Sequence, residues 1–130
     1  MITRGHQKGD ADSLAVYSDC ERFRYALTRV WQPGGRKALF VMLNPSTATE
    51  VQNDPTVERC ERRARALGFG AFRVANIFAY RATDPKVMRA HYEQKANIKL
   101  RLMAAAALAR QGDLDAVAAI RQILRGSDPD

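Results

Sequence analysis

The stretch Lys37-Ala38-Leu39-Phe40-Val41-Met42-Leu43-Asn44-Pro45-Ser46-Thr47-Ala48 decides how this chain is read. Its first part is an unbroken apolar run, the pattern of a sheet strand covered on both faces, and Asn44-Pro45 ends it. A loop of about ten residues leads to Asp54-Pro55, where Asp54 is placed to cap a helix and Pro55 takes the first helical position. Val57, Cys60, Ala64 and Leu67 follow on one helical stripe, with the charged residues between them mostly outward, and Gly68-Phe69-Gly70 closes the helix. Phe72 to Tyr80 reads as a second strand, and Thr83-Asp84-Pro85 repeats the cap-plus-proline start. A strand-helix-strand unit of this length predicts parallel strands joined by a right-handed crossover. Ligands in such sheets bind at the carboxyl ends of the strands, so the loops at Asn44–Asp54 and Tyr80–Asp84 are expected at one edge.

Working outward, Arg22 to Trp31 alternates as a half-buried strand, with Phe23, Tyr25, Leu27, Arg29 and Trp31 on one side and Arg22, Arg24, Ala26, Thr28 and Val30 on the other. The short run Leu14 to Ser18 is expected to pair with it as a hairpin, and Pro33-Gly34-Gly35 is the turn that follows. Residues 1–13 are polar and without periodicity, the composition of a flexible arm. Beyond Lys86 the chain turns alanine-rich and helical, with Leu100, Met103 and Ala107 on one stripe. Gly112 interrupts it, Asp113 can cap, and Leu114, Val117, Ile120 and Leu124 outline another helix. The expected fold is a small three-layer α/β domain over residues 14–130: an N-terminal β-hairpin, a parallel β-α-β core and C-terminal helices.

With 130 residues, 46% apolar and 27% charged, the chain has the size and composition of one soluble globular domain. Its longest apolar runs, Ala38 to Leu43 and Leu102 to Ala109, are far below the roughly 20 residues of a membrane span. The first residues lack the apolar stretch of a secretory signal, so a cytoplasmic location is expected. Cys20 and Cys60 have neither CxxC spacing nor a histidine at ligand spacing, so no metal or other cofactor is expected, and Cys60 belongs to the helical stripe. Net charge is +7, concentrated in two segments. Residues 71–101 hold seven Lys and Arg, including Arg73, Arg81, Lys86, Arg89, Lys95, Lys99 and Arg101, against two Asp and Glu. Such a basic face attracts phosphates, and it also occurs on proteins with no nucleic-acid partner.

Asn44, Ser46, Thr47 and Thr49 put an amide and three hydroxyls in one loop at a strand end. They can orient a water or read a polar ligand, or they can satisfy the backbone of the Asn-Pro turn. Asn76 lies in an apolar strand, where an unpaired amide costs roughly 1–3 kcal/mol, so it needs either a loop backbone partner or a ligand. Asp54 and Asp84 read as caps, while His6 and His91 lack partners in sequence. P-loop, GxGxxG, GxSxG and HExxH patterns are absent.

Ser18-Asp19-Cys20, Phe23-Arg24-Tyr25, Val41-Met42-Leu43-Asn44-Pro45-Ser46-Thr47-Ala48, Asp54-Pro55-Thr56, Gly68-Phe69-Gly70 and Asn76-Ile77-Phe78-Ala79-Tyr80-Arg81-Ala82-Thr83-Asp84-Pro85 together resemble a bacterial and phage family catalogued as domain of unknown function 1643. The resemblance covers residues 14–90, with a divergent or truncated stretch expected after about residue 95. More distantly, Leu43-Asn44-Pro45-Ser46 and Ala75-Asn76-Ile77 are similar to the water-positioning and base-reading elements of the uracil-DNA glycosylase superfamily. That resemblance implies that Asn44 holds the attacking water and Asn76 reads the base; Arg81 is the cation beside the loop that could replace the superfamily's histidine, so Asn44 and Arg81 are the candidate catalytic residues, and Pro45, Ser46, Thr47, Asn76 and Tyr80 the candidate ligand-binding ones. The superfamily's later histidine motif has no counterpart here. Two readings therefore stand: a glycosylase-like module directed at nucleic acid or a nucleobase, with weak or no catalysis, and a non-enzymatic accessory protein with a basic face.

Overall fold

Five strands and two helices make up residues 1–110, the part of the chain that this computed structural model describes: β1 (Ile2–Lys8), β2 (Ala11–Tyr17), β3 (Arg24–Val30), β4 (Lys37–Met42), α1 (Pro55–Ala66), β5 (Ala71–Asn76) and α2 (Pro85–Arg110). The expected helix from Asp113 through Leu124 lies outside the described residues. The chain divides after Met88, and the second unit, where described, is the continuation of α2. No helix among the described residues is long and apolar enough to cross a membrane.

The first unit is a small α/β domain on one mixed sheet, in the order β1-β2-β3-β5-β4. β1, β2 and β3 form an antiparallel meander, β3 pairs antiparallel with β5, and β4 lies parallel to β5 with Met42 opposite Asn76. Asp54 caps α1 as its sequence position predicts: its carboxylate accepts the amides of Thr56 at 3.1 Å and Val57 at 2.9 Å. The other carboxylate oxygen takes the amide of Ala48 at 3.2 Å, so one side chain starts the helix and pins the loop before it. Val57, Cys60 and Ala64 bury the helix stripe against Ala15, Leu27, Phe72 and Val74 in the core. Trp31 and Phe40 pack against the core from its margin, each with its ring centroid 6.1 Å from that of Phe72.

Several expectations are corrected. Residues 1–13 are no loose arm: β1 pairs with β2 along its whole length, and its side chains are polar because it is an exposed edge strand. β4 is not covered on both faces. It is the opposite edge, and Leu39 and Val41 are each 63% exposed on the open face. In β3 a register shift opposite Val16 and Tyr17 turns Arg24 to the covered face, beside Tyr17, and leaves Tyr25 in solvent. Leu67 is the exposed C-cap of α1 rather than part of its stripe, whereas Glu61 is buried. β5 ends at Asn76, and the chain reaches Tyr80 outside the strand, where it bridges to Phe23.

Candidate functional site

The carboxyl ends of β4 and β5, the carboxyl end of β2 and the amino end of β3 all fall on one edge of the sheet, because β3 runs against β5 and β2 runs against β3. Three connecting segments therefore meet there: 18–23, 43–54 and 77–84. The amide of Arg24 donates to Ala79 O at 2.9 Å, that of Arg81 to Arg22 O at 2.9 Å, and that of Ala82 to Pro45 O at 2.9 Å. Phe23 and Tyr80 add an edge-to-face contact at 5.5 Å.

The segment 43–54 is a polar sequence folded into the interior. Pro45, Ala48 and Glu50 are buried, and two arginines of β3 hold the segment's carbonyls. Arg24 donates from Nη1 to Ala48 O at 2.7 Å. Arg29 donates from Nη1 to Ser13 Oγ at 2.6 Å, and from Nη2 to Thr49 O at 2.7 Å and Asn53 Oδ1 at 3.0 Å. Ser13 in turn donates to Glu50 O at 2.5 Å, and the Tyr17 hydroxyl donates to Glu50 Oε2 at 2.7 Å. Asn53 completes the chain by donating to Glu58 at 2.8 Å and Glu61 at 2.6 Å on α1. Burial lowers the pKa of both arginines, that of Arg24 to about 10.

Burial pushes the Tyr17 hydroxyl up to about 12, with the adjacent Glu50 carboxylate acting in the same sense. Burial, the largest single influence, would raise Glu50, but the Tyr17 hydrogen bond, the main-chain hydrogen bond to the carboxylate and the charges of Arg4 and Arg81 together outweigh it and hold the carboxyl below its ordinary 4.5. The signs give opposite limbs. The Glu50 contribution is present above pH 4.5 and lost as pH falls through the lowered value. The Tyr17 contribution is present below pH 10 and lost as pH rises toward 12. Urea titrations at pH 9 and pH 12 are therefore expected to show a loss on the order of 2 kcal/mol in the wild type that is largely missing in Tyr17→Phe. An equal alkaline loss in both proteins counts against the Tyr17–Glu50 pair as its source.

At the outer rim, the residues singled out from sequence have unequal duties. Asn44 Nδ2 donates to Ala82 O at 2.8 Å, which braces the two loops against each other, and to Pro45 O at 3.1 Å within its own turn. Ser46 Oγ meets Thr83 Oγ1 at 3.3 Å, Pro45 is buried and Thr47 is exposed. Arg81 donates from Nη1 to Glu21 O at 3.2 Å and from Nε to Ser46 O at 3.5 Å, and its guanidinium lies 5.4 Å from the Tyr17 ring centroid. Asn76 Nδ2 is buried without a hydrogen-bond partner at the end of β5. Asp84 accepts the Lys86 amide at 2.8 Å, the cap that its sequence position predicts. The exposed Cys20 thiol in the first segment is lowered to about 7 by the Ser18 hydroxyl, 3.3 Å away, and by the Arg22 amide.

Sequence reasoning missed Ser13, Tyr17, Arg24, Arg29 and Glu50. The available signal was Arg29 on the otherwise apolar side of its strand, which called for carbonyl or carboxylate partners. Among the described residues no group of three or more His, Cys, Asp or Glu side chains is arranged to hold a metal ion. A groove of about 280 Å³ opens elsewhere, over Thr28, Val30, Leu39 and Arg73 on the open face of the sheet.

No curated protein and no solved structure matches the chain. The model of one protein family matches residues 24–117, which takes in β3, the buried loop, Asn44, Asn76 and Arg81, and runs past residue 95 into the alanine-rich segment. On that match, the chain belongs to the family described as protein of unknown function (DUF1643).

Proposed function

We propose that the loop edge is a binding site for nucleic acid or a nucleobase, in a glycosylase-like module with weak or no catalysis. The observation that carries this reading is Asn76. A buried amide donor without a partner costs roughly 1–3 kcal/mol, and such a group is retained where a ligand completes it. An amide is also the group that reads a nucleobase edge. Weak catalysis follows from Asn44 and Arg81. Hydrolysis of an N-glycosidic bond needs a placed water and stabilisation of the departing base, and these two side chains already donate to main-chain carbonyls.

Titration of single- and double-stranded oligonucleotides at rising salt tests the reading. Binding is expected to fall steeply with salt, and Asn76→Ala is expected to weaken it by roughly tenfold while leaving stability within about 0.5 kcal/mol, since no protein partner is lost. Incubation with uracil-containing DNA is expected to give little or no release of base. Robust release abolished by Asn44→Ala or Arg81→Ala would overturn the non-catalytic assignment. Absence of binding at low salt would instead favour the accessory-protein reading, in which the same bracing by Asn44 and Arg81 serves only to fix the loops.

A further inference from the structure

The geometry points to self-association: we propose that two copies of this chain pair through the outer edge of β4, antiparallel about a two-fold axis, to make one continuous sheet. β4 has β5 as its single neighbour among the described strands, so one row of its main-chain groups has no strand partner among the described residues. Met42 O accepts the Ile77 amide at 2.9 Å and so faces β5. Alternation along the strand then turns the N–H and C=O groups of Leu39 and Val41 outward. The same two residues carry the most exposed apolar side chains of the strand, 63% each, both on the open face of the sheet.

The edge also lacks the devices that protect edge strands. From Ala38 to Leu43 it has no charge, proline or glycine, and its ladder with β5 is regular over six residue pairs. β1, the other edge, carries Arg4, His6 and Lys8, so the two edges are not equivalent. A two-fold axis perpendicular to the sheet requires opposed residues to share a face, and the outward groups select one register. Leu39 pairs with Val41 of the second copy through both main-chain bonds, Val41 pairs with Leu39, and Phe40 lies opposite Phe40. That register gathers both copies' Leu39 and Val41 into one apolar cluster on the open face. Its charges are compatible as well. Lys37 falls opposite Leu43, and the two copies of Lys37 stand roughly 20 Å apart, beyond a Debye length of about 8 Å at physiological salt. A contact built on one six-residue strand falls short of the roughly 1,000 Å² of a stable interface, so the dimer is expected to be concentration-dependent.

Sedimentation velocity on the full chain, from about 5 μM to about 500 μM, is expected to show a reversible monomer–dimer equilibrium. Leu39→Lys and Val41→Lys, both at exposed positions, are each expected to weaken it by roughly tenfold or more without lowering thermal stability. In a Cys20→Ser background, Phe40→Cys is expected to form a disulfide with its own copy. Because Phe40 is half-buried, a second arm keeps the test independent of that variant's folding: in the same background Leu39→Cys and Val41→Cys, directly opposed in this register, should form a mixed disulfide when combined, whereas each variant alone, its two copies diagonal at roughly 7–8 Å, should not. A chain monomeric at every concentration, a dimer indifferent to both lysine variants, or a Leu39→Cys disulfide with its own copy in preference to Val41→Cys would each overturn the proposal.

Discussion

Replacing Arg29 with alanine is expected to remove about 3–5 kcal/mol of folding stability, a large share of the roughly 5–15 kcal/mol available to a domain. The side chain is 0% exposed. Its removal leaves Ser13 Oγ, Thr49 O and Asn53 Oδ1 without their donor and opens a cavity between the sheet and the buried loop. Nε is already buried without a partner, so the native guanidinium carries part of its desolvation uncompensated. Arg29→Met restores volume but not donors and is expected to lose less than alanine does. Arg29→Lys keeps the charge but cannot fork across three acceptors, so it is expected to rescue little. Urea denaturation of the three variants checks this, and a loss under about 1 kcal/mol for alanine would falsify the assignment of Arg29 as the staple of the loop.

The consequence reaches the site. Segment 43–54 sits between the sheet and the rim, and the same turn of chain presents Asn44 and Ser46 outward while Ala48, Thr49 and Glu50 are held inward. Loosening the inner face displaces the outer one, because the bonds from Asn44 to Ala82 and from Ala82 to Pro45 only hold the rim loops to each other. Ligand binding at the rim should therefore weaken in Arg29 variants under conditions where the sheet is still folded.

Which features were legible in the sequence follows from how local their causes are. β4, α1 and β5 could be read because an apolar run, two Asp-Pro caps and a Gly-Phe-Gly stop are each written within a few residues. The exposure of β4 could not: a continuous apolar strand looks the same with one neighbour or two, and the neighbour is chosen by the whole sheet. β1 was missed for the converse reason, since an exposed edge strand has no apolar alternation to display. In β3 the register shift beside Tyr17 reverses the facing of Arg24 and Tyr25, which a strict two-residue period cannot anticipate. The placement of Asn44 and Asn76 at one edge follows from the β-α-β order, but the occupation of Asn44 by carbonyls depends on where Ala82 arrives, a non-local fact. The Tyr17–Glu50 and Arg29–Thr49 contacts span 33 and 20 residues and leave no trace in local pattern.

The other large effect is expected at Gly70, where alanine should cost about 3 kcal/mol or more through backbone overlap. A Cβ at this position would stand 2.3 Å from Gln32 O, 2.9 Å from Gln32 Cβ and 2.9 Å from Gly35 Cα. Two of those three atoms are main chain, so no side-chain rotation relieves the clash. The closeness is functional for the fold: Gly70 O accepts the amides of Trp31 at 3.0 Å and Gln32 at 2.9 Å, and Gly70 N donates to Arg36 O at 2.8 Å. These three bonds tie the turn after β3 to the residue just before β5, and so set the antiparallel register in which Val30 meets Ala71. Moving the turn away to admit a methyl group would stretch all three at once, whereas Gly34, with open space around its Cβ, offers a matched control for the lost glycine entropy. Gly70→Ala is therefore expected to lower the unfolding midpoint sharply and Gly34→Ala to leave it within about 0.5 kcal/mol, by thermal or urea denaturation. Similar midpoints for the two variants would show that the β3–β5 register does not depend on this close approach.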